Sequence, residues 1–302
     1  MKTKRIIGIA VMMVLLGGVM AFAGAVTGGS SELQWNGNRR RFERFDRGQV
    51  IAIDQTLPAF SSIQADGGNF DLTVIKGNAF GISGNTSEAV VIDVVGDTLV
   101  ITSNEMGAND IGFGVGRRHG NITRINFGLF GHMGIGSSER ETLTVTVPTP
   151  EVLLNLNLGT NRLNIHDLTL LSGSTLRTST GNMNLKADLR GTTTVQSSTG
   201  NITIEGNIDG TSSITGSTGN IQLDGAVAGT LNLRTSTGNI RANIDGARSD
   251  FAYDLHTNTG RLTIDGERHQ NERGSGGSVQ KDNGTNRIEV RNSTGNIALS
   301  FN

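Results

Sequence analysis

The chain has 302 residues, and its 26 Lys and Arg against 27 Asp and Glu give a formal net charge of −1. This balance excludes a strongly basic nucleic-acid-binding protein. The sequence has no Cys, which excludes disulfide scaffolds, thiol nucleophiles and Cys-ligated metal centres. With 43 Gly, 3 Pro, 11 Phe, one Tyr and one Trp, the composition predicts tight turns around a core of small aliphatic side chains.

The N-terminus has the order of a targeting segment. Lys2, Lys4 and Arg5 precede a mostly apolar run over residues 6–20, and an Ala-Phe-Ala sequence follows. This order predicts a secretory signal peptide over residues 1–23. An uncleaved N-terminal anchor is the alternative. In both cases we expect an exported protein that is periplasmic, attached to the cell surface or extracellular.

Residues 24–56 are expected to form an N-terminal linker or cap, with a basic segment at residues 39–47 in which Arg and Phe are interleaved. Charge patterning favours a solvated linker here. Contact with anionic lipid or with a cell-wall polymer is the alternative.

An internal repeat begins after this region. The string Ser-Thr-Gly-Asn occurs four times at a spacing of 19 residues, a variant Asn-Thr-Gly-Arg follows after 22, and a last copy follows after 35. Glycine in such a turn predicts a positive φ. The Asn column predicts a ladder of side-chain amides bonded to one another between stacked copies. The predicted turn and ladder residues are Gly181, Asn182, Gly200, Asn201, Gly219, Asn220, Gly238, Asn239, Gly260, Gly295 and Asn296.

Two earlier segments fit the same template, residues 67–70 and residues 160–163. In the second, Asn161 stands where the repeat has Gly. Asn is the non-Gly residue that best tolerates positive φ, so we expect Asn161 to adopt it.

Apolar residues recur in columns with the same spacing. They alternate with polar residues along each segment, which is typical of β-strands. One column is Leu176, Val195, Ile214, Leu233, Leu255 and Val290; a second is Met183, Ile202, Ile221, Ile240, Leu262 and Ile297.

A single unit is too small to fold alone. Its four or five aliphatic side chains contribute about 1.5–3 kcal/mol each, whereas ordering the backbone costs about 1–2 kcal/mol per residue. Stacked units pair their backbones at a spacing of ~4.8 Å and merge the apolar columns into one core. We therefore predict an all-β fold, a single β-solenoid with ~19-residue rungs over residues 57–302. Parallel crossovers are strongly right-handed, so we expect a right-handed, β-helix-like coil.

The Ser-Thr-Gly-Asn repeats, the earlier copy at residues 63–72 and the exported N-terminus resemble a bacterial family of secreted β-strand-repeat domains of unknown function, described as candidate adhesins. The resemblance covers about residues 57–302. It implies an extracytoplasmic β-helix-like domain with an adhesive role, and some relatives resemble sensors of envelope stress. The family pattern contains no catalytic residues.

Two regions depart from the repeat. An insertion at residues 103–140 carries an apolar series that could cover the solenoid or bind a ligand. Residues 267–287, rich in Gly, Asn and charge, are expected to form a solvated loop. The candidate contact residues of the insertion are Phe113, Phe127, Leu129, Phe130, Met133 and Ile135.

The sequence offers little support for catalysis. Glu205 and Asp224 occupy equivalent outward positions one rung apart, near the spacing of a carboxylate pair in a retaining glycosidase. Stacking places any two equivalent residues at that distance, so a mixed-charge face is the better interpretation. The five His are dispersed and form no metal-binding pair. We expect no enzyme activity, cofactor or metal.

The sequence thus predicts a non-enzymatic, adhesin-like protein that presents a binding surface to an unidentified ligand of the cell envelope or extracellular surface. The first alternative is an envelope-stress sensor or a self-assembling scaffold that stacks end to end, because the chain stops at Asn302 directly after a predicted strand. The second alternative is a polysaccharide-acting enzyme.

Overall fold

The computed structural model describes the chain in eight segments, three of them by their backbone alone (32–36, 41–45 and 122–123). The other five segments are residues 51–68, 70–86, 90–103, 141–269 and 276–302.

These residues form 24 strands and one 3-10 helix, Arg248–Asp250. The strands are β1 (Glu32–Asn36), β2 (Arg41–Phe45), β3 (Ile51–Thr56), β4 (Ser62–Asp66), β5 (Phe70–Lys76), β6 (Gly81–Thr86), β7 (Val90–Val95), β8 (Thr98–Ser103), β9 (Ile122–Thr123), β10 (Glu141–Val147), β11 (Glu151–Thr160), β12 (Leu163–Leu170), β13 (Thr175–Thr180), β14 (Met183–Thr199), β15 (Ile202–Glu205), β16 (Ile208–Thr218), β17 (Ile221–Thr237), β18 (Ile240–Asp245), β19 (Phe251–Thr259), β20 (Leu262–Ile264), β21 (Glu267–His269), β22 (Gly277–Lys281), β23 (Asn286–Thr294) and β24 (Ile297–Phe301).

The chain divides into two compact units. The first, residues 1–49 with 106–139, contains an antiparallel sheet in the order β2-β1-β9. The second, residues 50–105 with 140–302, contains the other 21 strands. The expected linker or cap at residues 24–56 therefore includes three strands, and β3 pairs with β6 as part of the second unit.

The second unit is a β-solenoid-like stack, as predicted. Each rung gives one strand segment to each of two columns, and neighbouring rungs pair in parallel. We number the rungs described by the structure in stacking order: I (β8/β10), II (β4/β5), III (β11/β12), IV (β13/β14), V (β14/β15), VI (β16/β17), VII (β17/β18), VIII (β23/β24) and IX (β19/β20).

The predicted apolar columns meet inside this stack. Val195, Ile214 and Leu233 are each at most 1% exposed and pair with one another in register. The Met183 column is buried to the same degree. Alternation of buried and exposed residues along each strand follows from the period of two in β-structure.

The stacking order differs from the chain order at both ends. Rung VII pairs with rung VIII through Leu233 and Val290, and Val290 in turn pairs with Leu255 of rung IX. The segment that ends the chain thus lies between two rungs that precede it in sequence. At the other end, rung II lies between rungs I and III although it precedes both.

The expectation of an open edge at the C-terminal strand is wrong for this reason. Strand β24 pairs with β18 on one side and with β20 on the other. A strand in this position has no free backbone edge for another chain to join.

The predicted loop at residues 267–287 also needs correction, because it contains β21 and β22. These strands pair antiparallel with β20 and β19 and close the last rung. At the opposite end, β7 and β6 pair antiparallel with β8 and β10. Backbone groups on a terminal rung need partners, and an antiparallel strand supplies them while ending the parallel series.

Candidate binding surface

The turn glycines are fixed by two constraints. Gly200 has a φ of 141°, and the other glycines of the column have values from 136° to 146°. A Cβ on Gly200 would also collide with the carbonyl oxygen of Gly181 in the neighbouring rung. Only Gly meets both requirements, so this edge of the stack is held at close backbone contact.

The two earlier copies of the turn behave differently from the prediction. Asn161 does not adopt a positive φ; it is buried and donates its Nδ2 to the carbonyl of Gly68 at 2.7 Å. The repeat template aligns Phe70 with Leu163, but in the structure Leu72 pairs with Leu163. The register of the earlier copy is therefore shifted by two residues relative to the template. A shift of two keeps the same side chains inside, and the sequence pattern alone cannot detect it.

The Asn ladder joins side chains to backbone and not amide to amide. The Oδ1 of Asn182, Asn201 and Asn220 each accepts the backbone N–H of the next Asn at 2.8–2.9 Å. Asn239 then accepts from the N–H of Asn296, and Asn296 accepts from that of Arg261, both at 2.9 Å. The ladder follows the stacking order and ends at Arg261, where no further Asn is needed.

A buried polar column inside the stack escaped the sequence analysis. Three of its members donate to the turn carbonyls of the preceding rung: Thr235 to Gly219, Asn292 to Gly238 and Thr257 to Gly295. The signal that could have revealed the column is the polar residue three positions before the turn glycine, which every Gly copy of the turn has except the one at Gly219. The column consists of Thr178, Ser197, Thr235, Asn292 and Thr257, each at most 4% exposed.

The carboxylate pair considered for catalysis is divided between separate partners. Glu205 forms an ion pair with Lys186 at 3.1 Å, and both side chains are about half exposed. Asp224 accepts hydrogen bonds from Asn243 and from Gln222. The two acids therefore belong to a mixed-charge outer face, which is the interpretation favoured from the sequence.

The outer face of rungs VI to VIII carries an open groove of about 210 Å³. It is smaller than the ~300–1,000 Å³ typical of enclosed ligand pockets. Its polar lining comes from outward positions on three neighbouring strands. These residues are Ser213, Thr215, Asn232, Arg234, Glu289 and Arg291.

One guanidinium in this groove is held rigidly. Arg291 donates through both terminal nitrogens to Asp254 and through Nε to Glu289 at 3.1 Å. Partial burial lowers the pKa of Arg291, but these hydrogen bonds outweigh it and leave the pKa above its ordinary value.

Arg234 pairs directly with Arg291 across the two strands. Adjacent parallel strands lie ~4.8 Å apart, and like charges opposite one another destabilise a sheet. Within the described residues, Arg234 is exposed and forms no ion pair. Its charge is the uncompensated one in the groove.

Next to this face, the strand β22 is anchored by a partly buried ammonium. Lys281 Nζ donates to four carbonyls, those of Arg248, Ser249, Phe251 and Asn283, at 2.7–3.1 Å. Arg248 in turn donates to the hydroxyl of Tyr253, and this hydrogen bond raises the pKa of Arg248.

The predicted signal peptide over residues 1–23 lies outside the described residues. The six contact residues of the insertion (Phe113, Phe127, Leu129, Phe130, Met133 and Ile135) are outside them. Among the residues that are described, no cluster of three or more His, Asp or Glu could hold a metal ion. In the same part of the chain, no helix has the length and apolar character to cross a membrane.

A comparison with protein families gives two matches to the Toastrack DUF4097 family, at residues 121–244 and 193–300. Together they span more than half of the chain. The chain belongs to the Toastrack DUF4097 family. This membership agrees with the all-β, solenoid-like fold and with the resemblance found in the sequence.

Solved structures similar to this Toastrack chain are distant in sequence. A candidate adhesin from Bacteroides fragilis is 9% identical, covers 83% of this chain and 96% of its own, and has a TM-score of 0.39. A candidate cell adhesion protein from Clostridium sporogenes is 12% identical, with 84% and 100% covered and a TM-score of 0.34. A candidate lipid-binding protein from Parabacteroides distasonis is 13% identical, with 83% and 97% covered and a TM-score of 0.37. A search of curated proteins finds no match.

Proposed function

We propose that this Toastrack protein is exported through its N-terminal signal peptide, winds as a right-handed solenoid, and acts at the cell envelope as an adhesin-like protein that presents a binding surface. The observation that carries the proposal is the outer face of rungs VI to VIII, where an open groove is lined by hydrogen-bonding and charged side chains. An open face of this kind suits a ligand that extends along the stack. It does not enclose a small substrate.

The non-enzymatic part of the proposal is supported by the arrangement of the acidic groups. Glu205 and Asp224 are bonded to separate neighbours, and Asp254 and Glu289 are both bonded to Arg291. Acid–base catalysis needs carboxylates whose pKa values are set apart and which face one substrate. These four carboxylates are instead used in fixing the outer surface.

Binding of the purified chain to intact bacterial cells and to isolated envelope fractions tests the function. We expect saturable binding to at least one of these materials, and retention in the envelope fraction when the chain is expressed with its N-terminus. A mass corresponding to loss of residues 1–23 is expected for the exported form. A protein that binds none of these materials and stays in the cytoplasm would contradict the proposal.

Self-association is a second candidate, and the observation that favours it lies at rung I. Among the described residues, the large apolar side chains classed as exposed are Val91 and Val95 on β7, at 46% and 61%. An apolar end strand of this kind is prone to pair with another chain. Light scattering over a wide concentration range should show a larger species that Val91→Lys with Val95→Lys abolishes; a monomer at every concentration would exclude it.

A further inference from the structure

We propose that the groove on the outer face of rungs VI to VIII is an anion site for an acidic polysaccharide, whose carboxylate groups bind between Arg234 and Arg291. The proposal rests on the surface-binding function and names its ligand class.

Two guanidinium groups face the groove from adjacent strands, because Arg234 and Arg291 are direct neighbours in the sheet. Asp254 and Glu289 compensate the charge of Arg291, whereas no acidic side chain of the described residues forms an ion pair with Arg234. A carboxylate bound beside them would pair with Arg234 and accept a charge-assisted hydrogen bond from each guanidinium.

One of the two guanidinium groups has a fixed geometry. Asp254 and Glu289 hold Arg291 in place from two directions, so little side-chain entropy is lost there when a ligand binds. These acids satisfy Arg291 but leave Arg234 without an ion pair among the described residues. The groove therefore combines a fixed guanidinium with an available one.

The rest of the lining favours a polysaccharide over a membrane surface. The rest of the groove is lined by Ser213, Thr215 and Asn232, whose hydroxyl and amide groups both donate and accept hydrogen bonds. Sugar hydroxyl groups have the same capacity. Membrane insertion would need an exposed apolar area, and the exposed valines of the described residues lie on β7, several rungs away.

The test is the affinity of the purified chain for polygalacturonate, with neutral dextran and polyphosphate as comparison probes, at ~0.15 M salt to screen long-range attraction. We expect polygalacturonate to bind more tightly than the other two. Arg234→Ala should weaken this binding about tenfold or more, because a charge-assisted, two-point contact is lost.

The matched control is Arg241→Ala. Arg241 is also exposed, and its substitution removes the same charge, but it lies on β18 in the other column of strands. We expect less than a twofold change in affinity for Arg241→Ala, and neither Arg variant should lower the melting temperature. Equal losses for Arg234→Ala and Arg241→Ala would show general charge attraction and overturn the proposal. Polyphosphate binding as tightly as polygalacturonate would overturn the assignment to a glycan.

The two proposals can fail separately. A chain that binds cells but not polygalacturonate retains the surface-binding function and refutes the acidic-glycan site. A chain that binds polygalacturonate through Arg234 but binds no cell or envelope fraction retains the site and refutes the adhesin-like function.

Discussion

Rungs IV to VII follow the chain one after another, whereas rungs VIII and IX stack in the reverse of their chain order. The interior rungs keep a constant step of 19 residues between paired positions. Between rungs VII and VIII the step is 57 residues, which is three times 19. Register is preserved across the exchange, because rungs VII and VIII meet with matching apolar, glycine and asparagine positions.

The connection that skips a rung is longer than the connections between rungs IV and VII. From Gly238 to Gly260 the spacing is 22 residues, three more than the repeat. These three residues match the length of the 3-10 helix Arg248–Asp250, which at about 2 Å per residue can span the ~4.8 Å occupied by one rung. The repeated side-chain pattern thus determines which rungs can pair in register, and the lengths of the connections determine the order in which the rungs stack.

The largest effect is expected from removing rung VIII. Deleting residues 286–302 removes the buried Ile288, Val290, Ile297 and Leu299, each contributing about 1.5–3 kcal/mol, and it leaves rung IX without its partner. We expect loss of cooperative folding over rungs VII to IX, measured by circular dichroism and hydrogen exchange. If rung VIII were simply an end rung, the truncated chain would keep protected amides in β19 and β20.

A substitution at an interior turn comes next. Gly200→Ala forces a strained backbone and a clash with Gly181, and these effects together should destabilise the protein by about 2–6 kcal/mol. The matched control is Gly96→Ala, since Gly96 also has positive φ but has open space around it. Strain alone should cost about 1–2 kcal/mol there. Equal decreases in the melting temperature would refute the close rung-to-rung contact.

The cap of rung IX should be sensitive to Lys281. Lys281→Met removes an ammonium from four carbonyls, and charge-assisted hydrogen bonds contribute about 1.5–3 kcal/mol. We expect faster hydrogen exchange in β22 while rungs IV to VII stay protected. Lys186→Met, which breaks an exposed ion pair, should change stability by at most about 1 kcal/mol. Unchanged protection of β22 would contradict this account of the cap.

The smallest expected effect is on the exchange of a single backbone amide, and it distinguishes the observed stacking order from stacking in chain order. Asn239→Ala removes the acceptor for the N–H of Asn296, at a cost of about 1 kcal/mol. We expect faster exchange of the Asn296 amide and no change at Arg261. If the rungs stacked in chain order, the affected amide would be that of Arg261. Arg261→Ala serves as the control, because its side chain accepts nothing in the ladder.

Much of the fold could be predicted from local patterns. Periodic aliphatic residues such as Ile202 and Ile221, and glycines such as Gly200, report the interior rungs directly. The exchange of rungs VIII and IX could not be derived from the columns, because Leu255 and Val290 match Leu233 equally well when each is counted back from its own turn glycine. Two features of the sequence indicated the exchange. Arg261 replaces the Asn of the ladder, which fits an end rung because no further rung needs an acceptor there. The spacing of 22 residues before Gly260 is longer than the repeat.

The groove was harder to predict than the fold. Arg234 and Arg291 are 57 positions apart, and they become neighbours only through the exchange of rungs. In chain order, Arg234 would lie beside His256. The site therefore depends on long-range topology, which composition and spacing do not encode.

The stacking order is tested most directly by disulfide formation, which the chain allows because it has no Cys. Arg241 pairs with Ala298 of rung VIII, and Thr263 of rung IX lies one strand further away. A disulfide needs Cα atoms within about 7 Å, which adjacent strands at ~4.8 Å satisfy and second neighbours do not. We predict that Arg241→Cys with Ala298→Cys forms an intramolecular disulfide under mild oxidation and that Arg241→Cys with Thr263→Cys does not. The opposite result would contradict the exchange of rungs VIII and IX.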